Sequence, residues 1–334
     1  FTFNIEDGEK FIVERINIFG NNITRENVIR NQLEVDEGDP YNEILTNKSV
    51  NNIQSLNFFK NVNQEIVDGS NENSKVINIS VEEKPTGEIT ASAGVGTSGT
   101  SIGFGVRENN YLGRGIALDS NILLSTDSLK GLFSVSNPNF RNSDKAVYAS
   151  AEASETDKMK ASGYKTSKTG FKIGTDFEYY DDVRIGLGTS TFIEKIKTSS
   201  KASTKMKKQK GDYFDTFANL NFDYDKRNQK FQTSDGFRST FRTSVPLVSE
   251  TNTLTNTYTY KYFTELYDDN ISSFSIYMKA ANSVKNKDVK LSERLFAPSS
   301  RLRGFEFGKV RPKDGNDYIG GNYVSTVNFT STLP

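Results

Sequence analysis

The stretch "YFDTFANLNFDY" (Tyr213–Tyr224) decides the fold, because it reads two residues at a time. Phe214, Ala218, Leu220, Phe222 and Tyr224 fall on one side of an extended chain, and Asp215, Asn219, Asn221 and Asp223 on the other. Side chains of a strand alternate between its faces, so this is a strand with one apolar and one polar face. The pattern recurs. In "IALDSNILLS", Ile116, Leu118, Ile122 and Leu124 oppose Ala117, Asp119 and Asn121. In "GFRSTFRTSV", Phe237, Phe241 and Val245 oppose Arg238, Thr240, Arg242 and Ser244. In "TYTYKYFTEL", Tyr258, Tyr260, Tyr262 and Leu266 oppose Thr259, Lys261 and Glu265. From Gly87 onward about twelve such segments follow one another, most of them long enough for the ~9–11 residues that cross an outer membrane at a tilt. Charges in mid-strand need water, and a barrel that is apolar outside and wet inside supplies it. A soluble sandwich or propeller alternates too, but its apolar face must pack on a second sheet. The many tyrosines and serines on this face would pack poorly there.

Composition agrees with a thin-walled β structure: 34% of the 334 residues are hydrophobic, yet 12% are aromatic. Lys+Arg and Asp+Glu are both 42, so no net charge points towards nucleic acid. No apolar run approaches the ~18 residues of a transmembrane helix, which leaves a transmembrane barrel open. Cysteine and histidine are both absent. That removes disulfides, thiolate sites, histidine-based catalytic triads and ordinary zinc chemistry. An enzyme would have to work with carboxylates, Lys, Tyr or Ser alone. The chain opens "FTFNIEDGEKF" without a signal-peptide pattern, which predicts a mature piece or an internal fragment.

Residues 1–84 read differently. "FIVERINIFG" alternates as a strand. "ITRENVIRNQLE" predicts a helix capped by Thr24, with Val28, Ile29 and Leu33 on one face. "NEILTNKSVNNIQSLNFF" predicts a second helix burying Leu45, Ser49, Val50, Ile53 and Leu56, and Asn57 sits where a left-handed residue ends helices. "VNQEIVDG" and "KVINISVEEK" then form strands around the turn "GSNENS", and Pro85 and Gly87 mark a boundary. The expected fold is an α+β domain over residues 1–84 followed by an antiparallel transmembrane β-barrel over residues 87–334.

If the N-terminal domain is periplasmic, odd-numbered connections between barrel strands lie outside. "YYDD" (Tyr179–Asp182) and "YDDN" (Tyr267–Asn270) are short even connections, whereas the fifth, around "DKMKASGYKTSK", and the seventh, "KTSSKASTKMKKQKG", read as long. Connections one and three are short, so the rule holds in part. "GVGTSG" (Gly94–Gly99) matches a dinucleotide fingerprint, but a strand follows where that motif needs a helix. Gly94, Gly96 and Gly99, with Gly103 and Gly105, instead loosen the first two strands, which matters if the barrel opens there. The lysines of "KIKTSSKASTKMKKQK" read as a solvated external loop, with attraction to anionic lipid head groups a lesser alternative. Asp223 and Asp225 share the polar face and carry no mark of an acid/base pair.

The longest connection, roughly Val284 to Tyr318, holds "SSRLRGFEFG" (Ser299–Gly308). With it, the chain resembles the BamA family of outer-membrane assembly factors. In that family the sixth external loop folds into the lumen and carries [V/L]-R-G-F at its tip, here Leu302, Arg303, Gly304 and Phe305. "ENNYLGRG", "SNPNF", "FDYDKRNQKFQTSDGFR" and "YIGGNY" resemble further motifs of the family. The N-terminal order of elements, with Gly38, Pro40, Tyr41, Leu45, Ser49, Leu56, Phe59 and Val62, resembles a POTRA domain. The resemblance thus covers nearly the whole chain. It implies that Arg303 pins the loop inside, its five donors met by lumen carboxylates and carbonyls. The family's usual glutamate partner is replaced by Asn328, so Asp317 or a residue beyond Pro334 is the expected substitute.

The resemblance further implies an insertase that folds other β-barrels into the bacterial outer membrane, with its POTRA domain in the periplasm. Its partners would be unfolded outer-membrane β-barrel clients, accessory outer-membrane lipoproteins and the lipid bilayer, and no nucleic acid. A strand edge at residues 62–67 or 75–83 would receive clients. A secretion transporter of the two-partner type and a passive porin or receptor are the alternatives. The family's barrel has sixteen strands, so a chain with about twelve is expected to be C-terminally truncated, with residues 89–97 and 323–332 as open edges.

Overall fold

The computed structural model describes residues 10–332 apart from 97–98, 161–162, 230–232, 268–269, 286–287, 299, 306–309, 311 and 315–316, with the backbone alone at Gly96 and Asp317. The N-terminal module contains β1 (Ile12–Phe19), α1 (Glu26–Arg30), α2 (Glu43–Ser55), β2 (Phe59–Asp68) and β3 (Ser74–Glu83). Its sheet has the order β1-β3-β2, with β1 parallel and β2 antiparallel to β3. Val13, Ile16, Ile29, Ile53, Phe59, Ile77 and Ile79 form the core between helices and sheet.

Three local expectations are corrected here. Thr24 does not cap the first helix; Arg25 precedes it, and buried Thr24 accepts a hydrogen bond from Asn110 Nδ2 at 2.8 Å. The helix is one turn long because the amides of Gln32 and Leu33 bond three residues back, to Ile29 and Arg30, which tightens the chain into turns. β3 is paired on both sides, so residues 75–83 are no free edge, whereas β2, which holds 62–67, lies at the sheet's border. The second helix follows its pattern. Asn42 caps it, accepting from the Leu45 amide at 3.2 Å, and Asn57 ends it at φ 61°.

The second sheet begins with β4 (Gly87–Gly96), β5 (Gly99–Tyr111), β6 (Ile116–Ser125), β7 (Ser128–Asn137), β8 (Lys145–Lys158) and β9 (Tyr164–Tyr180). It continues with β10 (Val183–Thr198), β11 (Gly211–Asp225), β12 (Gly236–Val248), β13 (Thr253–Tyr267) and β14 (Asn270–Ser283). After a two-residue-strand ribbon, β15 (Lys313–Asp314) and β16 (Asp317–Tyr318), it ends in β17 (Tyr323–Ser331). All twelve strands stand in sequence order, from β4 at one end to β17 beside β14 at the other. Among the described residues no ladder joins β4 to β17.

Strand ends depart from expectation at one connection. β8 and β9 pair out to Lys158↔Tyr164, so the fifth connection is only residues 159–163 and not a long loop. Cross-strand pairs of Lys165 with Glu155 (2.6 Å) and Asp157 (3.4 Å) hold this polar extension together.

The two faces reverse the partition of a soluble protein. On β11, Phe214 is 51% exposed while its neighbour Asp215 is 2% exposed. Leu187, Ile193, Leu220, Phe222, Phe241 and Val245 are exposed, whereas Ser190, Glu194 and Thr240 are buried. A sheet that covers its polar side and bares its apolar side suits a hydrocarbon solvent.

The molecule divides into two compact units. One comprises Phe1–Ile89 with Val106–Leu118 and Ser136–Asp144; the other comprises Thr90–Gly105, Asp119–Val135 and Lys145–Pro334. Leu220→Arg, on the bared face, is expected to lower stability in a bilayer by about 2–4 kcal/mol, and Asn221→Arg, next to it on the covered face, by much less. Denaturant titration in lipid vesicles reads the difference, and equal losses would contradict the facing.

Candidate functional site

β10 and β11 pair with Phe192 opposite Asp215 and Glu194 opposite Tyr213, which sets Glu194 and Asp215 diagonally on the covered face. Both are nearly inaccessible. Two buried carboxylates so close need a cation. It comes from the connection between β14 and β17. Lys290, 1% exposed, bonds Asp215 Oδ2, reaches Glu194 Oε2 at 3.1 Å and Glu293 Oε1 at 3.6 Å, and lies 4.8 Å from the centre of the Tyr213 ring. Burial opposes its charge, but Glu293, Glu194 and Asp215 outweigh that and hold its pKa above the ordinary lysine value.

The surroundings complete the anchor. Ser292 donates to Glu194 at 2.9 Å, and Glu293 accepts from Thr253 at 2.6 Å and Thr251 at 3.3 Å. Gln209 grips the backbone on either side of Lys290: its Nε2 donates to the Val289 carbonyl at 3.3 Å, and its Oε1 accepts from the Leu291 amide at 2.7 Å. Removing one member of such a network leaves uncompensated buried charge, typically at a cost of ~3–5 kcal/mol. Gln209 follows a short helix, α3 (Thr204–Lys207), within the lysine-rich stretch. That stretch is therefore folded, a correction to its reading as a simple solvated loop. Its lysines at 201, 205, 207, 208 and 210 are exposed, while Ala202 and Met206 pack against Ile319 and Leu291 of the long connection. An apolar residue at every fourth place is too sparse to announce this.

Further along, Leu295 bridges to Gly321, and the Arg301 guanidinium stands 4.6 Å from the Tyr277 ring of β14. Asn328 of β17 donates from Nδ2 to the Arg301 carbonyl at 2.9 Å. The tip does not behave as expected. Leu302 is half-buried, but Arg303 is exposed, Gly304 turns at φ 81°, and Phe305 is 61% exposed. Among the described residues Arg303 makes no hydrogen bond or ion pair. It borders a cavity of about 510 Å³ lined by Thr259, Lys261, Ser273, Ser275, Arg301 and Asn328, among others, with no carboxylate in that lining. Asn328 supplies a donor to a carbonyl where a glutamate would supply negative charge. Asp317 lies in β16, and its side chain is outside the described residues.

The open end of the sheet is β4. Its residues from 88 to 95 are exposed throughout, and Gly94 and Gly96 lie in its last turn of pleat. Gly99 opens β5 at φ 102°, where a Cβ would run into the Thr126 side chain. This conformation and close approach both require glycine.

A POTRA-type module, a twelve-stranded antiparallel sheet and a connection folded onto its covered face are thus present in one chain. The Omp85 superfamily domain matches residues 110–334, and the surface antigen variable number repeat, a POTRA domain, matches residues 11–84. The chain belongs to the Omp85 superfamily. It is 26% identical over 333 residues to the outer membrane protein assembly factor BamA of Neorickettsia risticii, covering 96% of this chain and 44% of that protein. To BamA of Neisseria meningitidis it is 31% identical over 195 residues, 56% of this chain and 24% of the relative. The chain thus spans less than half the length of these relatives. Among solved structures, Haemophilus ducreyi BamA lacking POTRA domains 1–3 aligns over 97% of this chain and 68% of that one, with a TM-score of 0.78 at 19% identity. CdiB from Acinetobacter baumannii aligns over 98% and 61%, with a TM-score of 0.57 at 10% identity. These place the Omp85 sheet in the outer membrane and its POTRA module in the periplasm.

Sequence reading missed Lys290, Glu194, Asp215 and Glu293. Glu194 and Asp215 were legible as polar-face residues that need compensation, but nothing local names a lysine 75 residues from Asp215 as the source. It also missed how the Omp85 unit that contains the POTRA module is built. Glu83 accepts from the amides of Ile23 (2.8 Å) and Thr24 (2.6 Å), Asn110 holds Thr24 and the Gly115 amide, and the Arg25 amide donates to the Gly113 carbonyl at 2.8 Å. Burial alone would raise the Glu83 carboxyl, but its hydrogen bonds from Thr24, Ile23 and Asn22 prevail and hold it below the ordinary glutamate range. A lowered pKa contributes stability that is present above the unfolded value and lost as pH falls through the folded one. Amide exchange at Ile23 and Thr24 should therefore accelerate, beyond its intrinsic pH dependence, as the medium is acidified below that range. In Glu83→Gln this extra acceleration should vanish; its persistence would contradict the assignment.

Proposed function

We propose that this protein inserts and folds β-barrel proteins into the bacterial outer membrane. The observation that carries the reading is the glycine-bearing strand β4, which ends the sheet with one backbone edge unpaired among the described residues. Unsatisfied backbone groups in hydrocarbon cost several kcal/mol each, so such an edge favours any strand that adds to it. A client strand arriving there gains main-chain hydrogen bonds by β-augmentation. Border strand β2 of the POTRA module offers a second edge in the periplasm, suited to an extended client segment. The work consists of pairing strands in sequence, and the protein acts without cofactor or covalent chemistry. Accessory outer-membrane lipoproteins are its further partners.

Likeness to BamA along nearly the whole chain supports this reading. The likeness to CdiB is one of fold and is the weaker of the two, with a TM-score of 0.57 against 0.78, so a secretion transporter is the second reading.

Reconstitution of the full-length protein in liposomes with an unfolded barrel client tests the function. Clients should become folded and protease-resistant faster than in empty liposomes. A proline within Val62–Val67, at an amide turned away from β3, should slow this while leaving the module folded. No gain over empty liposomes, with passage of a secreted partner instead, would favour the transporter. Large steady conductance without either activity would favour a porin.

A further inference from the structure

We propose that Lys290 is the residue that positions the long connection, and through it the β17 end of the sheet, for client assembly; the role in assembly rests on the function proposed above. Between residues 290 and 301 the connection meets the sheet in strand order. Lys290 contacts Glu194 of β10 and Asp215 of β11, Glu293 contacts Thr253 of β13, and Arg301 contacts Tyr277 of β14 and Asn328 of β17. Five strand spacings separate β10 from β17 in that order, a reach of ~24 Å at ~4.8 Å per spacing. The connection is therefore a strap that ties β17 to strands it does not pair with.

Its attachments are unequal. Towards β17 the attachments among the described residues carry no ion pair: the Asn328–Arg301 hydrogen bond, the Leu295–Gly321 bridge, the packing of Val289 and Leu295 against Ala281 and Val324, and one cation–ring contact. At the β10 end a fully buried ammonium faces three carboxylates, and the backbone on both sides is held by Gln209. Without the ammonium, Glu194, Asp215 and Glu293 repel one another in a dry site. Since Glu293 travels with the connection while the other two belong to the wall, that repulsion lifts the strap. Among the described residues the arginine at the tip adds no ion pair, so what remains at that end is neutral contact and the Arg301–Tyr277 pair.

The chain has no cysteine, which makes a single thiol a clean reporter. In the full-length protein in vesicles, Val289→Cys should label slowly with a maleimide, because Val289 is 2% exposed. Adding Lys290→Met should speed labelling roughly tenfold or more, since a buried ion network has been opened. Lys290→Met combined with Glu194→Gln and Asp215→Asn removes both tether and repulsion, so it guards against misfolding, and its labelling should also exceed the parent's. Client assembly should fall in Lys290→Met. It should return when the strap is fastened by a short bis-maleimide between Gln209→Cys and Val289→Cys. Labelling at the parent rate in both variants would overturn the anchor. Faster labelling with assembly that the cross-link fails to restore would overturn its role in assembly. A parent protein inactive towards clients would sink the proposed function instead, and labelling would still decide the anchor.

Discussion

A sheet that bares its apolar side must settle every charge on the other. Here that constraint is met by cross-strand pairs on the covered face. Arg238 of β12 donates to Asp223 of β11 at 2.9 Å, and Thr240 joins the same carboxylate. Lys172 of β9 meets Glu152 of β8 at 2.7 Å, and Asn219 of β11 lies between Ser190 of β10 and Ser244 of β12. Each exposed or half-exposed pair contributes little to stability by itself. Their larger effect is on register, because a slip of one residue would turn Asp223, Arg238 and Glu194 into the apolar surround. The alternation that announces the fold also prevents its misalignment.

Not all charge on that face is balanced within the sheet. Lys168 of β9 stands opposite Glu194 but lies over the Phe192 ring, 3.9 Å from its centre, and among the described residues the cation that pairs with Glu194 and Asp215 is Lys290, from outside the ladder. The path of the longest connection follows from this electrostatic debt more than from its own propensities. Between Lys290 and Asn322 its described residues hold one three-residue 3-10 turn and a ribbon of two-residue strands. A segment so poor in regular structure keeps its place through side-chain contacts to the wall, which makes the few strong ones decisive.

Much of the fold was legible because it is periodic. The twelve strands and the left-handed stop at Asn57 both follow from local patterns. Three things escaped. The first helix was read too long, because hydrophobic spacing continues past Arg30 while the backbone tightens into turns. The connection between β8 and β9 was read as a long loop, although Lys165 within that stretch forms rungs with Glu155 and Asp157. The Lys290 anchor went unseen, because nothing local to Glu194 or Asp215 names their cation. The last two share a cause. Charge compensation is a long-range property, and a strand's polar face states the demand without naming the supplier.

The same accounting divides the sheet into a firm and a yielding part. β8 to β14 hold 13 to 17 residues each, whereas β4, β6 and β7 hold 10; β5 holds 13, and β17, beside β14, holds 9. A shorter ladder carries fewer backbone hydrogen bonds, and the glycines of β4 and β5 remove side-chain rungs besides. The polar anchors of the strap run from β10 to β17, on the side away from β4. Separation is therefore easiest where ladders are short and no strap crosses, and hardest where Lys290 holds the connection to the tallest strands. The nine-residue β17 is short as well, but the connection that buried Lys290 anchors runs to it, and among the described residues no such tie reaches β4.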